Sequence, residues 1–214
     1  KLQIIHLKKD RVILTLKHSY PIASVSFSTM ERMAICAVAS GNALYLWDLN
    51  TKQLLHKIQS SNSKPILTVS FLPNSTTLFY STPFSVSKFN LEPVYDANND
   101  TRMNIVPLIT RGGSAEKISS IEFSKSPGSQ GVLYYGCGAK IWRRHIYTGT
   151  LTREFTHTTH DLSKMGNITQ VLASRTSPLL FSRHRNSSQV LVWSDHKSKC
   201  KTLDPGLLGI ASCF

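Results

Sequence analysis

The sequence predicts an all-β protein assembled from repeated four-stranded sheets, and three observations lead to this prediction. One short pattern returns along the chain, as "PIASVSF" (Pro21 to Phe27), "PILTVSF" (Pro65 to Phe71) and "KISSIEF" (Lys117 to Phe123). A large aromatic residue follows each copy of the pattern at a nearly constant distance. No segment combines the 3.6-residue periodicity of an amphipathic helix with helix caps.

Each copy of this pattern predicts one half-buried strand. Apolar and small polar residues alternate in it, and β-branched and aromatic residues predominate, as is typical of strands. A weaker fourth copy, "NITQVLA" (Asn167 to Ala173), keeps Ile168 and Val171 but lacks the Phe. Successive copies begin 44, 52 and 50 residues apart. This spacing predicts a repeating structural unit.

The aromatic residue lies at a similar place in every unit. Trp47 lies 20 residues after Phe27, Trp142 lies 19 after Phe123, and Trp193 lies 20 after Ala173. In the second unit the matching residue, 18 after Phe71, is Phe89. We therefore predict that all three tryptophans of the chain occupy one position of one repeat.

Further strand-like segments complete each unit. Before the aromatic residue stand "MAICAVAS", "TTLFYST", "GVLYYGCG" and "SPLLFSRH", and after it stand "KQLLHKI", "RMNIVPLI", "GTLTREF" and "CKTL". The chain opens with "LQIIHLKKDRVILTLKH", which we predict to be the last two strands of a preceding unit. It closes with "GLLGIASCF", predicted to be the first strand of a following unit.

Four strands in 40 to 50 residues, with Trp47 followed by Asp48, predict a WD-repeat β-propeller. The chain would hold about four and a half degenerate blades and belong to a larger propeller or a tandem propeller. A wedge-shaped aromatic side chain between blades would bury roughly 150–250 Å², worth several kcal/mol at about 25 cal/mol per Å². We find no Gly-His pair before the first strands and take His160 as a candidate relic of one.

The predicted boundaries follow from these repeats. Because the first residue is Lys1, we also expect the chain to be part of a longer protein. The segments are the last strands of a preceding blade at 1–20, a blade at 21–63, a blade at 64–114 with an insertion at 92–101, blades at 115–160 and 161–205, and the first strand of the next blade at 206–214.

The composition is strongly basic, with 25 Lys and Arg against 12 Asp and Glu and a net charge of +13. Such a surface favours polyanionic partners, with an affinity that falls as salt rises.

No apolar run is long enough for a membrane span, and no signal peptide is visible. The 4 cysteines show no zinc-ligand spacing and are interpreted as buried, reduced thiols.

No combination of residues predicts catalysis. "HTTHD" (His157 to Asp161) could hold a metal ion, but we favour a hydrogen-bonded turn between blades. "YDANND" (Tyr95 to Asp100) lacks the central Gly and terminal Glu of a calcium loop and is interpreted as an exposed insertion. We therefore expect a protein that is not an enzyme and has no cofactor, no metal and no small-molecule substrate.

Basic clusters are the positive functional indication. Most of them fall at strand ends or in turns, where side chains project from the blades and could contact phosphates. An ordinary solvated surface is the alternative. The candidate RNA-contact residues are Lys8, Lys9, Arg11, Lys140, Arg143, Arg144, Arg183, Arg185, Lys197 and Lys199.

The stretch Pro21 to Phe71, with "PIASVSF", "LYLWDLNTKQLLHKI" and "PILTVSFL", resembles the WD-repeat tandem-propeller subunit of the UtpB subcomplex of the small-subunit processome. The likeness continues more loosely through "THTTHD" to "VLVWSDHKSKCKTLDP". The chain departs from that pattern in lacking a long basic linker after the His-rich segment and most Gly-Asp turns. Trp47, Asp48, Phe89, Trp142 and Trp193 match positions that determine the fold, so no catalytic residue is implied.

The resemblance implies a non-catalytic scaffold in ribosome biogenesis. Its partners would be other UtpB subunits, pre-ribosomal RNA and a box C/D small nucleolar RNA, in the nucleus and nucleolus, with no membrane involved. The scaffold would support processing of the 18S precursor. The alternative is a WD-repeat adaptor of another assembly, either a ubiquitin-ligase substrate receptor or a trafficking coat.

Overall fold

A computed structural model describes residues 1–6, 8, 10–30, 33–60, 63–91, 105–110, 116–124, 131–156, 165–174, 177–194 and 200–203. The elements with both ends in this described part of the chain are β-strands, and outside them Lys8 has 3₁₀ and Met165 helical backbone conformation. The chain divides into two compact units, residues 1–110 and residues 111–214. The predicted insertion at 92–101 and the predicted strand at 206–214 lie outside the described residues.

The first unit begins with an antiparallel pair, the N-terminal sheet. Strand β1 (Leu2–His6) pairs with β2 (Arg11–Leu16), and the register shifts between Ile4 and Ile5. Leu2 faces Leu16 and Ile4 faces Leu14. These residues are more buried than their neighbours in sequence, so one side of the sheet is apolar and covered.

Two four-stranded antiparallel sheets complete the first unit, each with its strands in chain order. The first blade comprises β3 (Ile22–Phe27), β4 (Ile35–Ser40), β5 (Ala43–Asp48) and β6 (Gln53–Gln59). The second blade comprises β7 (Thr68–Phe71), β8 (Thr77–Ser81), β9 (Ser85–Asn90) and β10 (Ile105–Thr110).

The second unit contains two more sheets of the same topology. The third blade comprises β11 (Ile118–Phe123), β12 (Val132–Cys137), β13 (Lys140–His145) and β14 (Leu151–Phe155). The fourth blade comprises β15 (Ile168–Ala173), β16 (Leu179–His184), β17 (Val190–Ser194) and β18 (Cys200–Leu203).

Each unit has its core between two neighbouring blades. In the first unit, Leu44 and Leu46 of β5 form one buried cluster with Phe71, Leu78 and Phe89 of the second blade. Phe89 is 2% exposed there. The alternating pattern of β5 directs Leu44 and Leu46 to this face and Tyr45 and Trp47 to the other.

The core of the second unit is built in the same way. Ile141 and Phe155 of the third blade share a buried cluster with Leu180, Leu191 and Trp193 of the fourth. The rings of Phe155 and Trp193 meet edge to face, with centroids 6.2 Å apart. Trp193 is fully buried, so an aromatic wedge does pack between these two blades.

Serine hydroxyls join the first strands of neighbouring blades. The Val69 N–H donates to Ser24 Oγ at 3.2 Å, and the Phe71 N–H donates to Ser26 Oγ at 3.1 Å. β7 is an edge strand of its sheet, so these amides point away from its only ladder partner, β8. The repeated small polar residues of "PIASVSF" therefore satisfy backbone donors of the next blade.

The same contact recurs in the second unit, where the Val171 N–H donates to Ser120 Oγ at 3.0 Å. Ser120 is buried, and its position in β11 corresponds to that of Ser24 in β3. The sequence pattern predicted the strands, but the reason for their serines is visible only in the packed blades.

Cross-strand register defines one equivalent row of residues across each blade. In the first blade, Phe27 pairs with Cys36, which pairs with Trp47. The corresponding aromatic residues are Phe89, which pairs with Leu78, and Trp193, which pairs with Leu180. This row, which we call the wedge row, contains the predicted blade positions Trp47, Phe89 and Trp193.

Trp142 does not belong to the wedge row, so the prediction that all three tryptophans share one position is wrong. In the third blade, Phe123 pairs with Leu133, and Leu133 pairs with Arg144. Trp142 pairs instead with Tyr135, two residues away along the strand. Linear offset misled the prediction because connections between strands differ in length, whereas cross-strand pairing fixes the row.

Replacing Ser120 by Ala should lower the free energy of unfolding by about 1–3 kcal/mol, because the buried Val171 N–H would lose its acceptor. Urea titration of the wild type and the variant measures this change. The control is Ser119→Ala, whose hydroxyl donates to the Gly136 carbonyl at a long 3.3 Å and should matter less. Equal effects of the two substitutions would contradict the role assigned to Ser120.

Candidate nucleic-acid interface

Lys8 and Arg11 lie at the turn of the N-terminal sheet, and both are exposed. The exposed carboxylate of Asp10 lies between them in sequence, so this turn carries mixed charge. Lys9, the third predicted contact of this cluster, is outside the described residues. The turn offers two cations to solvent without concentrating them in a site.

The "KIWRRH" segment forms β13, and strand alternation divides its basic residues between two faces of the third blade. Lys140, Trp142 and Arg144 lie on one face, and Arg143 lies on the other with Ile141. The structure therefore separates Arg143 from Arg144, which the sequence placed in one cluster.

Lys140 is already engaged on the first of these faces. Its Nζ lies 2.7 Å from Glu154 Oε1 and 5.7 Å from the centre of the Trp142 ring. Trp142 stacks on Tyr135 with the ring planes 13° apart. Because both ends of the ion pair are partly exposed, the pair itself adds only about 0–1 kcal/mol. It does compensate the charge of Lys140 locally.

Arg144 stands in the wedge row where the first and fourth blades have tryptophan. It is half-buried, and its Nε lacks a hydrogen-bond partner among the described residues. Arginine can cover apolar surface with its methylene stem while its guanidinium reaches outward. Arg144 thus occupies a position that contributes to blade packing. It is therefore a weaker candidate for an RNA contact than a fully exposed arginine.

Arg143 faces a second arginine that the sequence analysis did not select. Arg153 of β14 pairs directly with Arg143, and its guanidinium lies 5.8 Å from the centre of the Phe155 ring. The Nη1 of Arg143 donates to Thr152 Oγ1 at 2.9 Å. Two cations opposite each other repel unless an anion lies between them. "GTLTREF" contained this residue, but only the β13–β14 register brings it to Arg143.

Arg183 and Arg185 are exposed in the fourth blade. Arg183 borders a shallow cleft on the face of β16 opposite to Trp193, together with Leu172, Phe181 and Val190. Arg185 follows the strand, and its N–H donates to the Asn167 carbonyl at 2.9 Å. Lys197 and Lys199 lie outside the described residues, whereas nearby Lys201 is exposed on β18.

A buried hydrogen-bond chain fixes Trp193. Its Nε1 donates to Ser182 Oγ at 2.9 Å, and Ser182 Oγ lies 3.3 Å from His184 Nε2. His184 Nδ1 lies 3.1 Å from the Gly166 carbonyl oxygen. A neutral His184 with its proton on Nδ1 would give every bond in this chain one donor and one acceptor. His184 therefore helps to fix the position of Trp193 in the wedge row.

His18 packs against the corresponding tryptophan of the first blade. Its ring meets Tyr45 at 4.8 Å and Trp47 at 6.2 Å, both edge to face. Burial lowers the pKa of the His18 imidazole, which favours the neutral form. This histidine is not among the residues predicted from the sequence, although "HSYPI" places it four residues before the first residue of β3. His160 is outside the described residues.

Asp48 holds the turn that follows Trp47. Its Oδ1 accepts hydrogen bonds from the Asn50 N–H at 2.8 Å and the Thr51 N–H at 3.4 Å. The bond from Asn50 is the main cause that lowers the pKa of the Asp48 carboxyl. The aspartate of this Trp-Asp pair thus acts locally, as an Asx turn between β5 and β6.

The described residues contain no group of three or more His, Cys, Asp or Glu side chains that could hold a metal ion. The predicted metal alternative at His157 to Asp161 lies outside them. Within the same residues, no helix has the length and apolar character needed to cross a membrane. The arrangement described here consists of basic and aromatic side chains on a β framework.

Comparison with known proteins identifies the fold. No family model and no curated protein matches the chain. The crystal structure of the Myceliophteria thermophila Cps50 (Swd1) β-propeller domain is similar, with a TM-score of 0.69 and 15% sequence identity. The match covers 90% of this chain and 58% of that chain, so this chain spans little more than half of that propeller's length.

The fold therefore defines a β-propeller protein, and the predicted all-β, WD-repeat propeller architecture is confirmed. At this level of identity, the likeness extends to the fold alone. Function has to be argued from the side chains of this chain.

Replacing Val38 by Thr should raise the free energy of unfolding by about 0.5–1.5 kcal/mol. Trp47 Nε1 is buried without a hydrogen-bond partner among the described residues. In the fourth blade, Trp193 donates to Ser182, which lies two residues after the cross-strand partner of the tryptophan, Leu180. Val38 is the corresponding residue in the first blade, two residues after Cys36. The hydroxyl of a threonine at position 38 should therefore accept a hydrogen bond from Trp47 Nε1.

Urea titration measures this effect, and Val132→Thr is the matched control. Val132 belongs to the apolar core of the second unit, so a hydroxyl there should destabilise the fold. If Val38→Thr destabilises the chain as much as Val132→Thr does, the assigned geometry at Trp47 is wrong.

Cys36 should resist alkylation by maleimide in the native chain at neutral pH. Burial raises the pKa of its thiol to about 11, so the reactive thiolate is nearly absent, and the side chain is inaccessible. Mass spectrometry of labelled peptides measures the modification, with a urea-unfolded sample as the control. Labelling of Cys36 at the same rate in both samples would contradict its burial.

Proposed function

We propose that the protein is a non-catalytic WD-repeat scaffold in an RNA-containing assembly. Exposed basic side chains would bind phosphates, and the blade surfaces would bind protein partners. The observation that carries this proposal is the excess of exposed Lys and Arg over carboxylates in the described residues. The exposed basic residues are Lys1, Lys8, Arg11, Lys17, Lys52, Lys57, Lys64, Lys117, Arg183, Arg185 and Lys201.

The described residues hold fewer carboxylates than exposed Lys and Arg side chains, so they compensate the positive charge only in part. Glu122 is buried, Glu154 lies against Lys140, and Asp48 holds its own turn. Asp10 and Glu116 are exposed. With a net charge of +13 for the chain, the positive field would attract a polyanion that comes within about 8 Å, the Debye length at physiological salt.

The assembly that we propose is the small-subunit processome, in the nucleolus. The resemblance of Pro21 to Phe71 to the WD-repeat subunit of UtpB supports this assignment. The protein would contact UtpB subunits, pre-ribosomal RNA and a box C/D small nucleolar RNA. It would support maturation of the 18S precursor by holding components in place.

Crosslinking in cells followed by sequencing of the bound RNA tests this proposal. We expect pre-ribosomal and box C/D small nucleolar RNA to be enriched over total RNA, with the protein in the nucleolus. Recovery of other RNA classes would overturn the processome assignment. The absence of any crosslinked RNA would overturn the RNA-scaffold proposal as a whole.

Charge reversal in the purified chain gives an independent measurement. Arg183→Glu with Arg185→Glu changes two exposed residues and should weaken RNA binding without changing stability. Arg143→Glu with Arg144→Glu should also lower stability, because Arg143 bonds to Thr152 and Arg144 fills the wedge row. Unchanged RNA affinity in the Arg183 and Arg185 variant would remove this pair from the interface.

A further inference from the structure

We propose that Tyr20, Lys17 and Lys64 form a stacking site for single-stranded RNA on the first blade, at the β4–β5 turn. We call this surface the Gly41 platform, comprising Lys17, Tyr20, Gly41, Lys64 and Pro65. None of the RNA contacts predicted from the sequence belongs to it. The inference rests on the proposed RNA-binding function and names a site for it.

The turn at Gly41 brings two separate connections together. The segment between β2 and β3 is fixed where Ser40 Oγ donates to the Tyr20 carbonyl at 2.8 Å. The segment between β6 and β7 is fixed where the Ile66 N–H donates to the Gly41 carbonyl at 2.8 Å. Residues distant in sequence are thus held around one turn.

The ring of Tyr20 rests directly on Gly41. A Cβ built at Gly41 would lie 2.9 Å from Cγ and from Cδ2 of Tyr20, closer than side chains tolerate. Gly41 also has a φ of +61°, in the left-handed region that favours glycine. Glycine therefore lets the ring approach the turn, and the ring is held in place from below.

Tyr20 nevertheless remains 60% exposed. An aromatic side chain that packs on the backbone on one side has fewer rotamers open to it than a fully free one. Such a ring offers a flat surface on which a nucleobase can stack with little further entropic cost.

Two exposed lysines lie on the connecting segments that meet at this turn. Lys17 is exposed three residues before Tyr20, and Lys64 is exposed two residues before the anchored Ile66. At no more than about 3.6 Å per residue, Lys64 must lie close to the Gly41 turn. Their ammonium groups can meet the phosphates on either side of a stacked base.

The carboxylates described in the first unit lie far from the platform. Asp48 ends the strand that begins next to the Gly41 turn, and Asp10 precedes the strand that ends next to Lys17. Each strand has 6 residues, and at about 3.3 Å per residue this separation exceeds a Debye length of about 8 Å. Among the described residues of the first unit, the charged groups near Tyr20 on the two connecting segments are therefore both lysines.

These features favour single-stranded RNA over an acidic peptide. Both ligands could neutralise the two lysines, but only a nucleobase also uses the open face of the ring. Peptides are usually held in grooves or along strand edges. The platform is built from turns and connecting segments, so it provides no strand edge.

Fluorescence anisotropy with a fluorescein-labelled oligouridylate tests the site in the whole chain. Tyr20→Leu keeps an apolar cover over Gly41 but removes the aromatic face, so affinity should fall at least about fivefold. Tyr20→Trp should bind within about twofold of wild type. Lys17→Gln and Lys64→Gln should each weaken binding and flatten its dependence on salt.

Tyr147→Leu is the matched control. Tyr147 is 68% exposed and covers Gly131, another glycine in the left-handed region, but its ring packs beside His145 at 5.6 Å. Tyr147→Leu should therefore leave the RNA affinity unchanged. Thermal unfolding of each variant separates loss of binding from loss of fold.

The outcomes distinguish this inference from the broader proposal. If the wild type binds RNA and Tyr20→Leu binds equally well, the Gly41 platform is wrong and the scaffold proposal survives. If Tyr20→Leu and Tyr147→Leu weaken binding equally, the stacking is nonspecific and the platform is also wrong. Tighter, Tyr20-dependent binding of a labelled polyglutamate peptide would reassign the surface to acidic proteins. A wild type that binds no oligonucleotide would overturn both proposals.

Discussion

Satisfaction of backbone donors on the outward edge of the first strands β7 and β15 is the constraint on which the packing of neighbouring blades depends. An antiparallel sheet leaves the outward N–H groups of its edge strands unpaired, and an unpaired group that is buried costs free energy. Here the hydroxyls of Ser24, Ser26 and Ser120 accept from the next blade. Small polar residues in an otherwise apolar strand are therefore part of the packing of neighbouring blades.

The wedge row accommodates chemically different side chains. Trp193 is buried and hydrogen-bonded through Ser182 to His184, whereas Trp47 relies on aromatic contact with His18. Phe89 occupies the row in the second blade without any polar group, and Arg144 occupies it in the third blade. The common requirement at this row is bulk and apolar surface, which an indole, a phenyl ring or an arginine stem can each supply.

The distribution of charged side chains bears on the proposed function. Basic side chains are spread over turns and outer strands, while the described carboxylates are largely engaged in local structure. A scaffold for a polyanion needs such a field more than it needs one deep pocket. At Gly41 the field coincides with a fixed aromatic ring, where orientation by stacking can be added to electrostatic attraction.

The sequence by itself determined the fold class and the strand pattern, because alternating side chains and a repeat of 44 to 52 residues depend on local periodicity alone. Exposure of Arg183 and Arg185 was likewise expected from their position at a strand end. Only the tertiary structure decided that Arg144, and not Trp142, stands in the wedge row, that Arg153 faces Arg143, and that Tyr20 rests on Gly41. These are cross-strand and cross-turn contacts, and their register depends on how connections of unequal length fold, which linear spacing does not encode.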